Sequence, residues 1–119
     1  MVFPMQYILR SQQWQLLRQC LNVLLHGLKL PDTKARVGMS TEHLEQYLGY
    51  LNGLEEKVEI RVESSIANVM MKVTRETLRE LTPAEFRAQT AHEFFEGQTL
   101  LAELEKLLED RSVKAPDRF

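Results

Sequence analysis

Between Ser11 and Leu28 the apolar side chains Trp14, Leu17, Leu21, Leu24, Leu25 and Leu28 return every three or four positions, the spacing that lines one side of an α-helix. Gly27 and Pro31 supply its end. Cys20 and Val23 fall at the margin of the same stripe, so Cys20 reads as a small core residue; no neighbour would stabilise a thiolate. Asp32 opens a second, short helix that Gly38 closes. Ser40 or Thr41 then caps a third, which buries Leu44, Tyr47, Leu48 and Leu51 on one face and stops at Asn52-Gly53.

The middle of the chain changes period. From Lys57 to Glu63 the chain alternates strictly, with Val58, Ile60 and Val62 set against Lys57, Glu59, Arg61 and Glu63, which is the rhythm of a half-buried strand. The Val-, Ile- and Met-rich run Ile66–Val73 then predicts a second strand, so that residues 57–73 form an antiparallel hairpin, followed by a short helix from Thr74 to Leu81. The alternative is one long helix from Leu44 to Leu81, because the apolar residues also recur near 3.6. β-branched crowding and Asn52-Gly53 weigh against it.

Thr82-Pro83-Ala84-Glu85 has the form of a helix start with a capping Thr, Pro in the first turn and a reciprocating Glu. Phe86, Ala91, Phe94, Phe95, Leu101, Leu104, Leu107 and Leu108 sustain a stripe from there to about Asp110. The pattern predicts one C-terminal helix over 82–110 and a disordered tail over 111–119. Such a helix is longer than the rest of the chain could cover, so Phe94, Leu101, Leu104 and Leu108 are expected to join two copies as a homodimer.

Two segments, T-K-A-R-V-G-M-S-T-E-H-L-E-Q-Y-L-G-Y-L from Thr33 to Leu51 and V-M-M-K-V-T-R-E-T-L-R-E-L from Val69 to Leu81, resemble the winged helix-turn-helix family of DNA-binding transcriptional regulators. The Thr33–Leu51 segment is similar to the second helix, the turn and the recognition helix; the Val69–Leu81 segment is similar to a wing strand entering the next helix. The resemblance implies a mainly α (α+β) fold, with a winged helix-turn-helix domain over 1–81, a two-stranded wing and a long C-terminal helix. It also implies sequence-specific binding of double-stranded DNA. Ser40, Thr41, His43 and Gln46 would then reach base edges or nearby phosphates, Lys34 and Arg36 would hold phosphate, and Lys57, Arg61 and Lys72 would belong to the wing. The chain departs from the pattern where Gly53 comes early and Glu55-Glu56 precede the strand.

Charge qualifies this picture. The chain carries a net −2, which is no basic footprint. Its distribution is polarised, since Arg10, Arg18, Lys29, Lys34 and Arg36 precede Thr41 against Asp32 alone, while acids exceed bases beyond Thr82. Glu42 and Glu45 on the presumed recognition helix repel phosphate. A winged-helix module used only for protein contacts is therefore a live alternative. Another is an all-α ribonuclease resembling the HEPN family: Arg87, four residues, then His92, where Arg would hold the scissile phosphate and His would move a proton.

Other chemistry finds no carrier in the sequence. His26, His43 and His92 are scattered and Cys20 stands alone, so no metal site, cofactor or internal disulfide is expected. Neither a phosphate loop nor a membrane span is visible, and the reading is a cytoplasmic protein without enzymatic activity.

Overall fold

The computed structural model describes residues 6–28 and 30–114, with side chains described as far as residue 109. The chain runs β1 (Gln6–Leu9), α1 (Ser11–Asn22), a π-helical turn (Val23–Leu28), α2 (Thr33–Val37), α3 (Thr41–Asn52), β2 (Ile60–Glu63), α4 (Ser64–Glu80), α5 (Pro83–Thr90) and α6 (Phe94–Lys114). The result is a mainly helical fold with one small antiparallel sheet, β1 beside β2, in the register Tyr7 to Val62 and Leu9 to Ile60.

The helical stripe of Ser11–Leu28 is present and its Trp14, Leu17, Cys20, Leu21 and Leu24 are buried. The Trp14 indole donates to the Val58 carbonyl at 2.7 Å, which ties α1 to the segment entering β2. That bond satisfies a polar group that burial would otherwise leave costly.

The expected hairpin over 57–73 does not form. Its first half is a strand, with Ile60 and Val62 buried and Arg61 and Glu63 exposed, but its partner is β1, more than fifty positions earlier in the chain. The second half is helix, since α4 begins at Ser64 and continues through Val73 and the expected helix at Thr74 to Glu80. The long-helix alternative fails as well, because α3 ends at Asn52. α4 wins over β-propensity because Ala67, Met70, Val73, Thr74 and Thr77 fall on one face and are all buried. Burial of such a face outweighs the few tenths of a kcal/mol per residue that β-branching costs a helix. The two threonine hydroxyls are satisfied inside the core by donating to their own helix, Thr74 to the Met70 carbonyl at 2.9 Å and Thr77 to that of Val73 at 2.8 Å.

The single C-terminal helix is likewise corrected. Its predicted start is observed: the Thr82 hydroxyl accepts from the Glu85 amide at 3.2 Å and the Glu85 carboxylate accepts from the Thr82 amide at 2.8 Å. The helix then breaks at Ala91, which takes a left-handed φ of 63°. Thr90 holds the break, its hydroxyl donating to the Phe86 carbonyl at 2.8 Å and accepting from the His92 amide at 3.1 Å. The chain turns there and lays α6 against α4, the most extensive helix pair in the fold. Gly97 lets the helices come this close: a Cβ there would stand 2.8 Å from Phe86 and 2.9 Å from Leu78.

The turn supplies cover that the apolar pattern alone does not predict. Leu100 and Leu104 are buried within the chain, and Phe94 packs edge-on to Phe86 at 5.6 Å between ring centres. Leu101 and Leu108 are partly buried. Leu104 therefore needs no second copy to cover it. Of the expected tail, residues 111–114 continue α6 and the remainder lies outside the described residues.

Candidate interaction surface

The segment from Asp32 to Asn52 folds as its residue types dictate. Gly38 takes a φ of 86° and its amide donates to the Lys34 carbonyl at 2.8 Å, closing α2 in a conformation that L side chains rarely adopt. Ser40 caps α3, its hydroxyl oxygen accepting from the His43 amide at 3.3 Å and lying 3.0 Å from the His43 ring Nδ1. Val37 of α2 and Leu44, Leu48 and Leu51 of α3 anchor this segment to the core.

Of the residues expected to meet DNA, Thr41, His43 and Gln46 lie exposed on the outer side of α3, Ser40 is occupied as the cap, and Lys34 is exposed on α2. Arg36 is engaged elsewhere. Its guanidinium lies 3.3 Å from Glu76 and 3.7 Å from Glu80 on α4, and Arg79 reaches the other Glu76 oxygen at 2.9 Å. The Glu76 side chain is only 7% accessible, so these two arginines neutralise a carboxylate that the fold has nearly buried. The three presumed wing residues sit on three different elements. Lys57 is in the loop before β2, Arg61 points outward from β2, and Lys72 lies on α4 beside the Gly38 turn.

The outer side of α3 is aromatic and acidic. Among residues 32–52, Lys34 and Arg36 face Asp32, Glu42 and Glu45, and Glu45 lies 3.1 Å from the His26 ring. Tyr50 is 50% exposed and its ring centre stands 5.6 Å from that of Tyr47. These two tyrosines and Ile66 of α4 separate two shallow hollows. One, of about 310 Å³, is completed by Arg61, Val62 and Glu63; the other, of about 290 Å³, by Met39, His43 and Gln46. The Tyr47 hydroxyl is shielded from solvent without a hydrogen-bond partner. Loss of hydration, with Tyr50 nearby, pushes its pKa up to about 12, so the phenol stays protonated.

The sequence pattern places Tyr47 in the core stripe and Ile66 in the expected second strand, and gives Tyr50 no role. The available signal was Tyr50 itself, an aromatic standing off the Leu44, Leu48 and Leu51 stripe on an otherwise polar face.

Arg87 and His92, the residues of the second sequence motif, each lie beside a carboxylate. The Arg87 guanidinium lies 3.7 Å from Glu93, and His92 Nδ1 lies 2.9 Å from Glu96. The hydrogen bond to His92 holds the Glu96 carboxyl below its usual range, helped by the Glu93 amide. Each group thus has its own carboxylate, at the bend between α5 and α6. Among the described residues no group of three or more His, Cys, Asp or Glu side chains is placed to hold a metal ion, and no helix is long and apolar enough to cross a membrane. Compared with known protein families, with curated proteins and with solved structures, the chain matches none.

Proposed function

We propose that this chain is a protein-interaction module that presents the outer side of its helix-turn-helix, α3 with the adjoining ends of β2 and α4, to a partner protein. The observation that carries this reading is the character of that face. Tyr47, Tyr50, Met39 and Ile66 form an apolar centre, whereas the charges of residues 32–52 favour acid over base and Arg36 is held by Glu76 and Glu80. Aromatic residues at the centre of a patch with a polar surround are the usual anchors of protein contacts. Duplex DNA asks instead for several uncommitted cations.

The DNA reading rests on the exposed Thr41, His43 and Gln46 at the start of α3, and the same experiments separate the two. With the photo-crosslinking residue benzoylphenylalanine in place of Tyr50, irradiation is expected to give one discrete protein adduct, identified by mass spectrometry. The purified partner should then bind the unmodified chain and lose about tenfold or more in affinity to Tyr50→Ala. Binding of a random-sequence duplex that is weakened by Lys34→Ala and Lys72→Ala, and indifferent to Tyr50→Ala, would overturn the proposal in favour of DNA.

A further inference from the structure

β2 is paired on one side only. Among the described residues no strand other than β1 lies beside it, and apart from Glu63, the N-cap whose carbonyl opens α4, no residue of Ile60–Glu63 makes a backbone hydrogen bond outside the sheet. The larger hollow is lined by Arg61, Val62 and Glu63 in succession and by no residue of β1. Successive side chains of a strand point to opposite faces, so three neighbours around one hollow mean that it follows the strand's edge. The absence of β1 residues places it on the edge turned away from β1, facing Tyr47 and Tyr50. Such an edge offers backbone N–H and C=O groups to another strand.

The side chains along this edge add a code. Arg61 and Glu63 are both exposed, and among the described residues neither makes an ion pair. Residues directly opposite each other in an antiparallel pair share a face, and opposite charges there attract. We propose that the edge of β2 takes an extended peptide segment of the partner protein as a third, antiparallel strand, selected by a base–apolar–acid run. Its base lies across from Glu63 and its acid across from Arg61. The apolar residue between them lies across from Val62 and turns inward, toward Ile66 and Tyr47. The proposal rests on the protein-contact reading above and specifies the partner's chemistry. A second copy also carries such a run, at Arg61–Glu63, but the hollow is small and walled on its far side by Tyr47 and Tyr50, which suits a single strand rather than a folded body.

The test is an NMR titration of the ¹⁵N-labelled full chain with the synthetic peptide Thr-Lys-Val-Glu-Thr, and with the same peptide N-methylated at alternate backbone nitrogens. Amide shifts are expected at Arg61–Glu63, Tyr47, Tyr50 and Ile66, and N-methylation should weaken binding by about tenfold or more, because it removes strand hydrogen bonds. Arg61→Glu, whose folding the dispersion of the same spectra verifies, should weaken the parent peptide and bind Thr-Lys-Val-Lys-Thr in its place. Shifts elsewhere, no shifts at millimolar peptide, equal binding of the N-methylated peptide, or a dimer by sedimentation that the peptide fails to displace would overturn the strand-addition mode. If the Tyr50 adduct persists when the peptide fails, only this mode falls; if both fail, the protein-contact reading falls with it.

Discussion

At the scale of single residues, burial decides which groups are chemically available. Cys20 is fully buried among Leu17, Leu21 and Leu24, and burial pushes its thiol up to about 12. Almost no thiolate exists at neutral pH, so Ellman's reagent or iodoacetamide should leave the native chain unlabelled and react on unfolding, with a rate that follows denaturant. Glu96 is the opposite case, a carboxyl held low chiefly by His92. A depressed carboxyl pKa contributes stability that is present above the unfolded value and is lost as pH falls through the folded one. Glu96→Gln should therefore lower the melting temperature at neutral pH, and the gap from the parent should close as the solution is taken below the ordinary carboxylate range.

Elements show how local signals and packing divide the work. Ser40→Ala removes a cap from α3 and is expected to cost about 1 kcal/mol in urea denaturation. Gly97 sets two effects against each other. Alanine gains helix propensity, worth roughly 1 kcal/mol, but its Cβ would press on Phe86, a fully buried ring, and on Leu78. Overpacking a core costs about 1–3 kcal/mol, so Gly97→Ala should be net destabilising, by less than Phe86→Ala in the same assay. Arg36→Ala withdraws one of the cations that compensate Glu76 on α4. Because Arg36 itself is part-exposed, its coupling to Glu76 in a double-mutant cycle should be about 1 kcal/mol, above a surface pair and below a fully buried one. Loss of DNA or protein binding in Arg36→Ala must accordingly be read against its stability.

For the molecule as a whole, the packing of α6 on α4 is the contact that closes the core. Leu104 is 1% exposed, so Leu104→Ala should destabilise the fold by about 2–5 kcal/mol. That loss appears in the denaturation midpoint, whereas a residue holding two copies together would show it first as a change of mass in light scattering. Phe95, 64% exposed on the same helix, is the control: Phe95→Ser should leave the midpoint nearly unchanged.

Much of this was legible in the chain. The stripe of Ser11–Leu28, the caps at Ser40 and Thr82, the Gly38 turn, the stop at Asn52-Gly53 and the alternation of Ile60–Glu63 all depend on neighbours within a few positions, which sequence displays directly. Four features required the tertiary structure. β2 pairs with β1 across a long separation, and nothing local names a strand's partner. α4 is helical because its buried face meets α1 and α6, which overrides the strand preference of its β-branched residues. The bend at Ala91 carries no glycine; it is held by Thr90 and by the packing of α6 that it permits. The hollow beside α3 exists only because folding sets Tyr50 beside Ile66 and the edge of β2, residues that are remote in the chain and whose meeting depends on the packing of every element between them.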